Sequence, residues 1–220
     1  MTIQTLTLEE SARLLAVLQA PCNTTKARML AHRNHLLALL MLDAGLRVSE
    51  VSRLTIEDLV FDDCPRSFLI VRPEIAKRAK SRQIPLSGRI VESIQQMLIS
   101  VWLPAYARPH WYAFWGRSPE WAITPRQVQR IIGAASKRIL GRSVHPHCLR
   151  HTFGTRLMKT VSIRIVQELL GHSNLSSTQI YMHPDNADLR GAIDSLDTSK
   201  LEEPMYSKSH PLHPGNLKRA

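Results

Sequence analysis

Residues 145–157 read "HPHCLRHTFGTRL". Three imidazoles and two guanidiniums fall within these thirteen residues. His147, Arg150 and His151 stand at i, i+3 and i+4, so a helix here sets all three on one face. Stacked cations repel each other, and the arrangement needs a reason. One reason is structural, with the histidines partly buried and satisfied by backbone groups. A second is a metal: histidines at i and i+4 match a zinc helix, with His172 as third ligand. That set has no Glu beside its first His, and Arg150 adds a fixed charge that opposes a dication. The third is a phosphate. Arg presents a planar fork to two oxygens and stays charged, while His adds a donor or acceptor near neutral pH.

The charge balance favours the phosphate. The chain has 220 residues, room for one good core or two small domains, and 44% of them are apolar, as in an ordinary globule. Its formal net charge is +11. Beyond Tyr181 there are five Lys/Arg against six Asp/Glu, so the body before it carries the whole excess. A basic body of this kind points to a polyanionic partner, most often nucleic acid. Cys22, Cys64 and Cys148 are widely spaced and form no CxxC, so neither a zinc ribbon nor a disulfide framework is indicated. Polar residues interrupt the first ten positions, against a signal peptide. The run "HLLALLMLDAGL" is too short to span a bilayer. A reducing, cytoplasmic setting without membrane contact is expected.

The pattern predicts a mainly α fold with one small antiparallel hairpin. "LTLEESARLLAVL" opens a helix on a Thr7–Glu10 capping box. A long helix runs to about Ala44 and stops at Gly45. "RVSEVSRL" starts another, and Glu57–Asp58 sit on a short one. "SFLIV" and "RQIPL" are strand-like and flank the basic stretch "RPEIAKRAKS". "SGRIVESIQQMLISVW" reads as one amphipathic helix. Residues 102–121 lack periodicity and read as a loop over the core. Thr124 caps the next helix with Pro125 at its first position. The opening stretch, "SIRIVQELLGH" and a short helix near "NADLRGAIDSL" follow.

Five motifs now stand in order: "GLRVSE", a lysine in the hairpin before "IPL", "HCLRH", "LGH", and Tyr181 nine residues after His172. Together they resemble the tyrosine recombinase, or phage integrase, family, in its Xer-like form. The resemblance covers Leu6 to about His183. It implies the tyrosine recombinase catalytic-domain fold over 1–184, with 185–220 as a C-terminal helix and tail exchanged between protomers. Leu189, Ile193 and Leu196 would form the docking stripe, or pack on their own body.

The resemblance implies a site residue by residue. Arg47 and Arg150 resemble the catalytic arginines, His147 and His172 the catalytic histidines, and Tyr181 the nucleophile. Lys77 resembles the hairpin lysine that protonates the leaving oxygen, with Lys80 the rival. Glu50 and His151 resemble residues that orient the arginines and the phosphate pocket. The implied function is site-specific DNA recombination through a covalent 3′-phosphotyrosine, as in integration by mobile elements. It needs no metal and no nucleotide cofactor. The implied partners are double-stranded DNA and, on paired sites, three further copies; the free protein is expected to be monomeric. Many members carry a separate N-terminal helical domain before this pattern, which here begins almost at Met1, so the sequence is expected to be either a naturally short recombinase or a fragment. Two other functions compete: a DNA-binding protein of this fold without catalysis, and a metal-dependent nuclease built on "IEDLVFDD".

Overall fold

The computed structural model describes residues 4–20, 23–76 and 80–171. Helix α1 (Leu8–Leu18) begins where the capping box is expected. Thr7 Oγ1 accepts the Glu10 N–H at 3.0 Å, and Glu10 Oε2 accepts the Thr7 N–H at 3.0 Å. Helix α2 (Thr25–Asp43) is the centre of the molecule. All seven residues from Leu36 to Leu42 are buried, so the helix is enclosed on every side over that stretch. This is the apolar run set aside above as a membrane span. No described helix is long and apolar enough to cross a bilayer.

Two short helices follow, α3 (Val48–Ser52) and α4 (Ile56–Leu59). The expected hairpin forms from β3 (Phe68–Val71) and β4 (Arg82–Pro85), paired antiparallel from Phe68↔Pro85 to Val71↔Arg82. One sheet was expected, and the described residues form two. Asp62 and Asp63 both adopt the left-handed conformation, at φ 49° and 54°. That reverses the chain tightly enough for β1 (Val60–Phe61) to pair with β2 (Cys64–Pro65).

The stretch 88–102 also departs from a regular helix. Helix α5 (Gly88–Met97) widens into a π-helical turn at Leu98–Trp102. At 3.6 residues per turn, a regular helix would carry Trp102 about a third of a turn off the Ile90 stripe. The wider turn brings Trp102 back toward the buried face, where Leu98 and Val101 also lie. Trp102 then donates from Nε1 to the Ala113 carbonyl at 3.2 Å. The irregular segment after it is stitched to the α3–α4 turn, with Ala113 N–H on Leu54 O and Ile56 N–H on Trp111 O.

Helices α6 (Pro125–Leu140), α7 (Pro146–Met158) and α8 (Ile163–Leu170) complete the described chain. Thr124 caps α6 and Pro125 opens it, as expected. Helix α1 is tied to this group by side chains. Arg13 donates to Ile139 O at 2.8 Å, Arg142 to Glu10 at 2.7 Å, and Arg156 to Ser11 Oγ at 2.7 Å. Phe153, Val166 and Leu170 form a small apolar cluster that seats α8 on α7.

Three partly buried histidines make stability pH-dependent. His35 on α2 bonds Ser93 Oγ on α5 at 3.2 Å. Burial, then Arg89 and His32, push its pKa below the ordinary 6.5, while Asp43 opposes them. His32 and His151 are lowered as well, each chiefly by burial. As pH falls through 6.5, the unfolded chain therefore takes up protons that the folded chain refuses. The contribution of these three groups to stability is unchanged above that pH and is expected to decline below it. The melting temperature is expected to fall between pH 7.5 and 5.5, and His35→Gln should shrink the fall. An unchanged drop in that variant would remove His35 from the account.

Candidate active site

The Arg47 turn is built by Gly45. Gly45 has φ +62°, and a Cβ on it would lie 2.3 Å from Phe153 Cδ1. Only glycine lets α2 end against α7 so closely. Two residues on, Arg47 stands at the N-cap of α3 with Glu50 at the third helical position. Glu50 Oε2 accepts the Arg47 backbone N–H at 2.8 Å, and Oε1 accepts Arg47 Nη1 at 2.8 Å. The spacing in "GLRVSE" thus has a local cause: a carboxylate satisfies an orphan N–H at the start of the helix and holds the arginine that precedes it.

The same carboxylate holds a second arginine that the expected site omits. Arg82, at the start of β4, donates from Nη1 to Glu50 Oε1 at 3.0 Å and from Nη2 to Oε2 at 2.7 Å. Glu50 is fully buried, the Arg82 side chain is 4% exposed and the Arg47 side chain 17%. Burial alone would raise the Glu50 pKa. The hydrogen bonds and charge of Arg82, followed by those of Arg47, outweigh it and hold the group below its ordinary value. Glu50 is therefore a carboxylate at neutral pH. The sequence does hold a trace of Arg82. In β4 the buried positions alternate, and Arg82 is in phase with Ile84 on the inner face.

The opening stretch is helix α7, entered through Pro146, with His145 at its N-cap. Its three grouped cations do not all face solvent. Arg150 is buried and donates from Nη1 to the Gly45 carbonyl and from Nη2 to Leu170 O at 2.7 Å. His151 is half-buried, and burial, His147 and Arg150 together lower its pKa, which favours the neutral ring. His147 is exposed, its ring 6.4 Å from that of His145 and 6.5 Å from that of His151. The repulsion posed by the sequence is thus relieved by sinking the arginine onto carbonyls and by keeping one imidazole uncharged.

Both arginine systems meet at the end of α8. Arg82 Nε donates to Leu169 O at 3.0 Å, and Arg150 donates to its neighbour Leu170 O. The last carbonyls of a helix lack intrahelical partners and carry partial negative charge, so cations are favoured there. Gly171 closes the helix at φ +61°, and a Cβ on it would lie 3.0 Å from Arg82 Cδ. The glycine of "LGH" therefore gives room to the stem of Arg82. Arg47, Glu50, Arg150 and the newly found Arg82 are joined through direct contacts or adjacent carbonyls, with His147 and His151 on the same helix as Arg150. Lys80 is exposed beside the hairpin. Lys77, His172 and Tyr181 lie outside the described residues.

The acids of "IEDLVFDD" are otherwise engaged. Asp58 accepts the Thr55 N–H at 2.9 Å and a two-point bond from Arg72 at 2.8 and 2.9 Å. Asp62 and Asp63 form the exposed β1–β2 turn. Among the described residues, no group of three His, Cys, Asp or Glu side chains is arranged to hold a metal.

Residues 4–188 match the model of the phage integrase family. The tyrosine recombinase XerA of Pyrococcus horikoshii is 40% identical over 163 residues, which are 74% of this chain and 54% of that protein. The tyrosine recombinase XerC of Pseudomonas fluorescens is 35% identical over 169 residues, 76% and 53% of the two chains. The crystal structure of XerA recombinase superposes with a TM-score of 0.67 at 24% identity, over 88% of this chain and 63% of that one. XerH bound to difH substrate superposes with a TM-score of 0.63 at 27% identity, over 89% and 55%. The chain spans about half the length of the curated relatives it matches. A match that extends from before the α1 capping box to beyond the glycine that closes α8 has one reading: the chain belongs to the phage integrase family and has the catalytic-domain fold of the tyrosine recombinases.

Proposed function

We propose that this chain is the strand-cleaving part of a site-specific DNA recombinase. Tyr181 attacks a backbone phosphorus, the bond to the 5′-oxygen breaks, and a 3′-phosphotyrosine forms. Reversal by an incoming 5′-hydroxyl rejoins the strand. The ester conserves the energy of the broken bond, so the cycle uses no nucleotide cofactor. The arginines take the electrostatic role that a metal plays elsewhere. Lys77, with Lys80 as the alternative, delivers a proton to the leaving oxygen, and His147 exchanges the tyrosine proton. His172 is a further phosphate ligand.

The observation that carries this reading is the preset arginine cluster. Among the described residues only one side-chain donor of Arg47 is engaged, on Glu50. A guanidinium has five donors, so Arg47 keeps most of its capacity for a phosphate. Arg82 and Glu50 fix its orientation during folding, which means that little reorganisation is left for the reaction itself. The difH-bound XerH relative supports double-stranded DNA as the partner. Strand exchange between two duplexes requires four cuts, hence four copies on paired sites. In this proposal the catalytic unit is 1–184, and 185–220 passes to a neighbouring protomer.

The test is covalent capture. The chain is incubated with nicked suicide DNA duplexes in excess EDTA and run on a denaturing gel. A protein–DNA adduct is expected. Adduct formation only after Mg²⁺ or Zn²⁺ is restored would overturn the metal-free chemistry. DNA binding without any adduct would favour a DNA-binding protein of the same fold.

A further inference from the structure

Arg82 has every guanidinium nitrogen in use. Nη1 and Nη2 grip the two oxygens of Glu50, and Nε holds the Leu169 carbonyl. Its partners lie 32 and 87 positions away in the chain. The loop end of the β3–β4 ladder, the Arg47 turn and the end of α8 thus meet on one planar group. Each Glu50 oxygen is shared between the two arginines: Oε1 takes Nη1 from both, and Oε2 takes the Arg47 backbone N–H and Arg82 Nη2. Removing Arg82 leaves the carboxylate with half its partners and no plane to define its angle.

We propose that Arg82 is a positioning residue of the strand-cleavage site. Through Glu50 it sets the Arg47 guanidinium, and through Leu169 it holds the end of α8 in register with that guanidinium. The proposal rests on the reading of the chain as a strand-cleaving recombinase. Stability alone is a weak reason for such a group, because a buried ion pair is often no better than packed apolar side chains. What the pair adds is a fixed angle. A two-point fork restricts the carboxylate far more than a point charge does, so lysine is not equivalent here. Gly171 fits the same account, since its missing side chain is what lets the Arg82 stem pass beneath the end of α8.

A double-mutant cycle on cleavage rate separates positioning from folding. Arg82→Lys, Arg47→Lys and the double variant are compared with the parent at saturating DNA, well below each melting temperature. The readout is the first-order rate of adduct formation on suicide duplexes. Arg82→Lys is expected to lower the rate about 10²-fold, the cost of a misplaced group, with DNA affinity retained. In the Arg47→Lys background the same change should cost little, because the group it positions is already altered. Equal losses in both backgrounds, or a parental rate in Arg82→Lys, would overturn the proposal. If Arg82→Lys does not fold, Arg82→Gln replaces it in the cycle, and failure of both to fold makes Arg82 an element of the fold and overturns the positioning role. Absence of an adduct with the parent chain overturns the recombinase reading itself, and this proposal with it.

Discussion

Tyr181→Phe is expected to abolish covalent attachment to DNA and to leave noncovalent binding unchanged. The substitution removes one oxygen and keeps the ring. That oxygen is the proposed nucleophile, and no other group in the mechanism forms a bond to phosphorus. A phenol with a pKa near ~10 must be helped to ionise, and the help proposed here comes from Arg47, Arg150 and the histidines. None of these is altered in the variant, so the phosphate is still bound but not attacked. The remaining tyrosines are poor substitutes. Tyr106 is 91% exposed in the loop after the π turn, the Tyr112 backbone bridges to Thr55 at the start of α4, and Tyr206 lies in the C-terminal tail of the sequence. The check is a denaturing gel with suicide duplexes beside a native binding assay. An adduct that persists in the Phe variant would remove Tyr181 from the mechanism.

What the sequence disclosed and what it hid divide by range. The capping box at Thr7, the cap at Thr124, the stop at Gly45 and the β3–β4 hairpin rest on residues within a few positions of each other, and all appear where the pattern puts them. The β1–β2 pair escaped because two-residue strands leave no alternation to read. The π turn escaped because the apolar spacing from Ile90 to Trp102 is the same whether the helix widens or drifts. Of the candidate site, Arg47, Glu50 and Arg150 were singled out by their motifs, and the structure brings them together. Arg82 was not, because its contacts exist only once chain segments far apart have met. Its inward phase in β4 was visible, but a charged residue on an inner face declares only that it has a partner, not which one. Lys77, His172 and Tyr181 rest on motif order alone.

Gly45→Ala is expected to destabilise the fold and disturb the site together. Two separate costs add. A residue with a Cβ in the left-handed region loses about 1–2 kcal/mol. The new methyl would also lie 2.3 Å from Phe153 Cδ1, 2.5 Å from Cε1 and 3.1 Å from Leu170 Cδ2. The ring is only 7% exposed and closes the α7–α8 cluster, so it has little room to move. Overpacking at such a contact costs a further roughly 1–3 kcal/mol. Together these are a sizeable share of the about 5–15 kcal/mol that holds a typical domain together. The functional effect follows from the carbonyl of the same residue, which accepts from Arg150. Any shift that relieves the ring must drag that carbonyl, and the guanidinium bound to it, away from the end of α8. Phe153→Leu in the Gly45→Ala background removes the colliding ring edge and should recover part of both the melting temperature and the cleavage rate. If Gly45→Ala melts like the parent, α2 and α7 are not in the close contact described. If stability falls but cleavage measured well below the melting point is unchanged, the Gly45 carbonyl does not set Arg150.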